Sequence, residues 1–195
     1  MDVKYAFLNG DLEEEVYIEQ PGGFILGNDP KLVCRLRNDL CGLKQAPRAW
    51  CYRLDKYLHQ QGFSKGSADS NLYIKIENDK LLILVVYVGD IIFGRNEEAM
   101  SQNFVLVMQK EFEMSLLGEL TYFLGLQVQQ NKDNIFLSQT RYLKQILKKY
   151  GMEDSKPVCT PVVKRCSLSA NDESTAVHQP TYRSEIGSLL YLTGT

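Results

Sequence analysis

Histidine, tryptophan and long apolar runs are all scarce in this chain. Only His59 and His178 occur among the 195 residues, and the five cysteines form no CxxC pair. A structural zinc site needs a closed set of such ligands, so zinc is not expected. The odd cysteine count points to reduced thiols in an intracellular protein, with the cysteines serving as small buried hydrophobes. The longest uninterrupted apolar run, Leu81 to Val88, has eight residues. A membrane span requires roughly 18 or more, so no membrane segment is expected. Asp2, Asp11 and Glu13 to Glu15 stand where a secretory leader would carry a basic patch and an apolar stretch, and no leader is expected either. Internal repeats and low-complexity tracts are absent. With six prolines, 44% apolar and 24% charged residues, the composition is that of an ordinary globular protein of about one domain.

The net charge of -2 conceals a segregation along the chain. Residues 1 to 29 carry seven acids and one base, whereas residues 30 to 66 carry eight bases and two acids. Residues 139 to 151 add Arg141, Lys144, Lys148 and Lys149 with no acid. The plain reading is a set of solvated helix faces; the other is an acidic cation-holding opening beside stretches suited to a polyanion.

Periodicity predicts the main elements. Val16 to Glu19 reads as a short strand. Trp50, Leu54, Tyr57 and Leu58 recur at helical spacing, which predicts a helix over Pro47 to Gln60 that stops before Gly62. Strands are expected at Leu72 to Ile76, Leu81 to Val88 and Ile91 to Phe93, the middle one apolar on both faces and therefore central, with Gly89-Asp90 at a tight turn. Asn96 is placed to cap a helix reaching about Phe112, with Met100, Phe104, Val107 and Met108 as its buried stripe. A strand pair, Tyr122 to Val128 and Ile135 to Leu137, follows around the turn Asn131 to Asn134. Ser138 is then placed to cap a helix ending near Tyr150, burying Tyr142, Leu143, Ile146 and Leu147. Residues 153 to 180 read as a linker, and Ile186 to Leu192 as a last apolar segment.

Two carboxylates stand out. Asp2 opens an expected strand, and Asp90 lies at the tip of a hairpin whose strands are apolar. An acid at the end of a buried strand is costly unless it is hydrogen-bonded, paired or bound to a cation. The residues leave two readings open, a plain turn beside a terminal polar residue, or oxygen ligands for a hard cation such as Mg2+.

Four stretches bear on that choice: Met1 to Tyr17 (MDVKYAFLNGDLEEEVY), Leu43 to Trp50 (LKQAPRAW), Tyr87-Val88-Gly89-Asp90, and Lys156 to Pro161 (KPVCTP). Taken in this order, with Leu117-Gly118-Glu119, Phe123-Leu124-Gly125, Leu137-Ser138-Gln139 and Ile186-Gly187-Ser188-Leu189, they resemble the reverse transcriptase of copia-type LTR retrotransposons, an RNA-directed DNA polymerase. Each motif alone is weak, but the ordered set spans essentially the whole chain. The resemblance implies an α+β fold: a palm with an antiparallel sheet and packing helices over 1–118, a primer-grip hairpin and thumb helix over 119–152, a linker over 153–180, and a connection segment beginning at 181–195. It also implies Asp2 and Asp90 as catalytic, metal-binding acids, with two Mg2+ ions as cofactor. Tyr5, Ala6, Phe7 and Gln45 would meet the incoming dNTP, Phe7 as the wall that excludes a 2'-hydroxyl. Lys44, Arg48, Tyr87, Arg141, Lys144, Lys148 and Lys149 would meet an RNA/DNA template-primer. Fingers, integrase and RNase H regions are expected elsewhere in a full-length polyprotein, and the location is expected to be a cytoplasmic particle or the nucleus.

The chain departs from the family pattern in one decisive place. The family reads Tyr-x-Asp-Asp where this chain has Tyr87-Val88-Gly89-Asp90, so Gly89 stands at a lost metal-binding aspartate. Tyr5 and Cys41 also stand where threonine-like and tyrosine residues are expected, and the fingers and the strand leading into Asp2 are missing. Alternation along a strand puts residues 89 and 90 on opposite faces, so Asp90 is not expected to substitute. The expected function is therefore a reverse transcriptase domain inactive in this copy. The alternative is a non-catalytic module that keeps nucleic-acid or protein binding.

Overall fold

A computed structural model describes residues 1–26, 29, 31–160 and 176–194. The fold is α+β, with antiparallel sheets and packing helices, and it divides into two compact units, Met1–Gly118 and the residues from Glu119 onward. Residues 161–175 of the linker expected over 153–180, Cys166 among them, lie outside the described residues.

The first unit opens with β1 (Asp2–Val3), a 3-10 turn (Ala6–Asn9), and the hairpin of β2 (Tyr17–Glu19) with β3 (Val33–Arg35). Helix α1 (Ala46–Gln60) follows, then β4 (Ser64–Lys65), β5 (Leu72–Glu77), β6 (Lys80–Tyr87), β7 (Asp90–Arg95), α2 (Glu98–Glu111) and β8 (Met114–Ser115). Six strands form one sheet in the order β4-β5-β6-β7-β1-β8, so β6 is interior as its apolar run predicts. Along β6, Leu82, Leu84 and Val86 are buried while Leu81, Ile83 and Val85 are half-buried, so one face is the core face. Trp50, Leu54 and Leu58 of α1 and Phe104 and Met108 of α2 join that face in one core, with Tyr73, Ile91 and Phe112.

Local chemistry explains the joints. Asn78 and Asp79, at φ 50° and 62°, form the two-residue β5–β6 loop, and both residue types tolerate the left-handed region. The expected cap by Asn96 is corrected: Asn96 Oδ1 accepts from the Leu81 amide at 2.7 Å and its Nδ2 donates to Asp79 O at 3.2 Å. The side chain ties the β5–β6 loop to the end of β7, and α2 starts after Glu97 with no side-chain cap. Gly10 is required by close approach: a Cβ there would lie 2.9 Å from Trp50 N and 3.0 Å from Ala49 Cβ, where the 3-10 turn meets α1.

The second unit holds β9 (Tyr122–Phe123), β10 (Leu126–Gln130), β11 (Ile135–Ser138), α3 (Thr140–Lys149) and α4 (Gln179–Gly194). The single strand expected over Tyr122 to Val128 is corrected to a hairpin. Leu124 at φ 45° and Gly125 at φ 81° reverse the chain, and Phe123 pairs with Leu126. Ser138 ends β11 and caps nothing; the side chain of Gln127 on β10 accepts from the Arg141 amide at 2.8 Å instead. The apolar stripe of α3 is shallower than expected, with Tyr142, Ile146 and Leu147 half-buried and Leu143 exposed. It meets α4 through polar groups as well as rings, because Tyr150 Oη donates to Ser184 Oγ at 3.0 Å and Tyr142 packs edge-on to Tyr191 at 4.7 Å. The expected linker ends before Gln179, since Gln179 and Pro180 begin α4, proline being tolerated in a first helical turn. The four described cysteines are not buried hydrophobes: Cys41, Cys51 and Cys159 are exposed and Cys34 is half-buried, all as free thiols. Among the described residues, no helix is long and apolar enough to cross a membrane.

Candidate active site

The register of the first sheet brings the two singled-out acids together. β1 lies between β7 and β8, and Asp2 pairs across the strands with Asp90 on one side and Ser115 on the other. Direct cross-strand partners project to the same face, so two carboxylates face one another, a destabilising juxtaposition for like charges. Both residues are half-buried. Burial raises the Asp90 carboxyl above its ordinary range, and the charge of Asp2 pushes it further, against a smaller opposing pull from the chain's amino group.

The turn between β6 and β7 sets this geometry. Tyr87 pairs with Asp90, so the loop is the two residues Val88-Gly89, and Asp90 is the first residue of β7 rather than part of the turn. The expectation from strand alternation is corrected accordingly, because residue 89 lies in the turn and Asp90 lies opposite Asp2. Val88 takes the left-handed conformation at φ 57°, which is unusual for a β-branched residue, whereas Gly89 does not. A Cβ built on Gly89 would lie 3.6 Å from Asp2 Oδ1 and 3.0 Å from Val3 O. A side chain at position 89 would therefore face the same carboxylate that Asp90 faces. Two backbone ties hold the turn, since Val3 N–H donates to Gly89 O at 2.8 Å and Trp50 Nε1–H donates to Val88 O at 2.7 Å.

The residues following Asp2 form a short tight arc. Tyr5, left-handed at φ 51° and exposed, leads into the 3-10 turn, whose first N–H groups have no acceptor within the turn. Ala6 is buried and sits under the Val88-Gly89 loop, its Cβ 3.4 Å from where a Gly89 Cβ would be, and Phe7 is half-buried against the core. Gln45 precedes α1, its carbonyl accepting from the Arg48 and Ala49 amides at 2.9 and 3.1 Å. Lys44 and Arg48 are exposed at the start of the same helix, and Tyr87 is half-exposed at the end of β6. The first unit thus places Asp2 and Asp90 on adjacent interior strands of the sheet, with Tyr5, Ala6 and Phe7 in the arc that follows Asp2 and Gln45, Lys44 and Arg48 at the head of α1.

Arg141, Lys144, Lys148 and Lys149 belong to the second unit, all exposed on α3. Arg141 stacks over the Tyr122 ring at 5.3 Å, and Lys149 Nζ donates to Ser184 Oγ at 2.7 Å. Among the described residues, no group of three His, Cys, Asp or Glu converges as a metal cluster, so Asp2 and Asp90 stand as a pair. Sequence reasoning missed one contributor, Trp50. It is a core residue as expected, but its indole N–H reaches the loop between the paired acids, a link across 38 positions that no local pattern announces.

The chain matches known proteins along nearly its whole length. The family described as reverse transcriptase (RNA-dependent DNA polymerase) matches residues 1–164. The chain is 34% identical to the retrovirus-related Pol polyprotein from transposon TNT 1-94 of Nicotiana tabacum, over 98% of the chain and 15% of the polyprotein. It is 37% identical to that from transposon RE1 of Arabidopsis thaliana, over 98% of the chain and 13% of the polyprotein. It is also 30% identical to a putative transposon Ty5-1 protein of Saccharomyces cerevisiae, over the whole chain and 64% of that protein. The chain therefore spans about one seventh of the length of the first two relatives. No solved structure matches.

Proposed function

The chain belongs to the copia-type reverse transcriptase (RNA-dependent DNA polymerase) family of transposon Pol polyproteins, and from that premise we propose that it is the palm and the start of the thumb of such a polymerase, in a copy unable to support efficient nucleotidyl transfer. The observation that carries the second half is the position of Gly89, whose missing side chain would have faced Asp2 Oδ1.

The donor set fits one hard cation. Asp2 and Asp90 are paired and half-buried, with the proton affinity of Asp90 raised by burial and like charge, a cost that a divalent ion would relieve. Mg2+ is held through one or two carboxylates together with waters and substrate phosphates, which matches a pair but leaves a second ion short of its bridging ligand. Bound there, the ion supplies charge neutralisation at the transferring phosphoryl group. The chain's own residues do the positioning. Tyr5 and Ala6 offer backbone N–H groups to the phosphates of a dNTP, and Phe7 walls the sugar side. Gln45, with Lys44 and Arg48, supports the template side, and Tyr87 borders the primer end. Arg141, Lys144, Lys148 and Lys149 neutralise phosphates of the RNA/DNA duplex. Fingers, integrase and RNase H regions belong to the rest of such a polyprotein.

Primer extension on a primed RNA template, with Mg2+ or Mn2+, tests this reading with the segment placed in its polyprotein context. Gly89→Asp is expected to raise the rate at least about tenfold, given the several kcal/mol that ion stabilisation supplies. Equal rates for parent and variant would overturn it. A second reading, a binding module without chemistry, is favoured by the exposed bases of α3, a helix that contains no acid. It predicts template-primer binding by the unmodified chain that weakens as salt rises and loses about one unit of log-log slope with each of Lys144→Ala and Lys148→Ala.

A further inference from the structure

We propose that Trp50 is a positioning residue, whose indole N–H holds the strained Val88-Gly89 loop so that Asp90 stands opposite Asp2; the inference rests on the reading of these acids as the polymerase site.

Three observations converge on it. First, Val88 is left-handed at φ 57°, a strained conformation for a β-branched residue that persists only where the surroundings enforce it. Second, both loop carbonyls are held from outside the hairpin: Gly89 O by the Val3 amide at 2.8 Å, and Val88 O by Trp50 Nε1–H at 2.7 Å. The first tie docks the loop onto the strand carrying Asp2, and the second anchors it to α1. Third, the anchor is rigid, because Trp50 is fully buried and packs edge-on to Phe112 with ring centroids 5.3 Å apart. A phenylalanine would fill most of that space and satisfy the packing, so packing alone does not explain an indole whose one polar atom is aimed at the loop. The bond is short and partly buried, with Val88 itself half-exposed. Removing the donor leaves the loop free to relax toward an unstrained turn, and the Tyr87–Asp90 pair that begins β7 moves with it.

The test is a double-mutant cycle in the full chain, combining Trp50→Phe with Val88→Gly, together with amide hydrogen exchange. Glycine adopts positive φ without strain and keeps the carbonyl that Trp50 holds, so in that background loss of the bond is not offset by relief of strain. Trp50→Phe is expected to lower the folding equilibrium constant at least fivefold more in the Val88→Gly background than in the parent, where relaxation of the loop recovers part of the loss. It should also speed exchange of the Val3 amide about tenfold while leaving the Gly66 amide, bonded to Leu72 O at the far edge of the sheet, unchanged. Equal loss in both backgrounds, or uniform acceleration at Val3 and Gly66, would show a core residue only and overturn the proposal. If Trp50→Phe does not fold, the unmodified chain still decides. Trp50 is its one tryptophan, so it has a single indole N–H resonance. Exchange of that proton slowed more than a hundredfold relative to the unfolded chain, and slowed more in Val88→Gly than in the parent, where loop strain pulls against the bond, supports the anchor; rapid exchange, or the same protection in both, refutes it. Mn2+ broadening of the same resonance reads the cation site separately, so a protected resonance that Mn2+ leaves sharp sinks the metal reading and not the anchor.

Discussion

Gly89→Asp offers the most direct probe of the paired acids, because its effect without nucleic acid follows from distances in the folded chain. Gly89 is outside the left-handed region, so the backbone admits an aspartate. The new Cβ would be 3.0 Å from Val3 O, which must yield by a few tenths of an ångström, and 3.6 Å from Asp2 Oδ1. Two unit charges about 5 Å apart repel by roughly 1 kcal/mol at the dielectric of water and about 3 kcal/mol at an effective value near 20. At pH 7 and low salt, without divalent ions, the variant should be less stable by about 1–3 kcal/mol, and each kcal/mol lowers the melting temperature by about 2–4 °C in a chain of this size. Crowded carboxylates have raised folded-state pKa values, so the loss is full above those values and fades as pH falls toward the ordinary carboxylate range near 4. Mg2+ should reverse it. An ion at ten times its dissociation constant adds about 1.4 kcal/mol of stability, and the variant should gain more than the parent. Gly89→Asn separates the causes, since it meets Val3 equally but adds no charge and should show little response to Mg2+. The assay is thermal unfolding of the three chains across pH and Mg2+ concentration. If aspartate and asparagine behaved alike, and Mg2+ shifted parent and variant equally, position 89 would not face Asp2.

Three further substitutions test the surroundings of the site. Asp39 is fully buried with neither carboxyl oxygen hydrogen-bonded, and burial, then the charge of Glu14, raises its pKa. Asp39→Ser should therefore stabilise the chain by about 1–3 kcal/mol at pH 7 in urea unfolding, a gain that shrinks as acid protonates Asp39 in the folded state. Gly10→Ala should destabilise by about 1–3 kcal/mol in the same assay, because its Cβ meets backbone at Trp50 N and the Asp39 carboxylate at 3.1 Å. Tyr73→Phe removes an O–H donated to Asp55 Oδ1 at 2.8 Å. Burial acts to raise the Asp55 pKa, but hydrogen bonds from Lys65 and Tyr73 and the charges of Lys65 and His59 outweigh it and lower the value. The stability this provides is present above the ordinary carboxylate range and lost as pH falls through the lowered folded value. The variant should thus lose about 1 kcal/mol at neutral pH and match the parent in acid, as read by unfolding curves at several pH values.

Much of the fold was legible where an element is long and carries its own period. Helix α1 and strands β5 to β7 lie within a residue or two of their sequence boundaries, because apolar spacing there matches the structural repeat. Strands β4 and β8, each of two residues, and β3, of three, have no room for a pattern and exist only because a neighbour pairs with them. The caps were misplaced for a related reason. Asn96 and Ser138 have the right chemistry, but Asn96 is claimed by the β5–β6 loop and the start of α3 is served by Gln127 from another strand. The break at Leu124-Gly125 was hidden because a leucine at positive φ leaves no signature in composition.

By itself, the sequence determined the family, through an ordered set of short motifs, and it singled out Asp2, Gly89 and Asp90 for attention. Motif order and residue identity are properties of the chain, and no folding is needed to see them. What only the tertiary structure decided is how those residues meet. Asp2 and Asp90 are 88 positions apart and face each other because β1 inserts between β7 and β8. Position 89 faces Asp2 because Val88, not Gly89, takes the left-handed turn residue's place, and Trp50 reaches that turn from the core of α1. Register and side-chain reach across long sequence separations are set by packing of the whole sheet against its helices, and no local stretch of sequence encodes them.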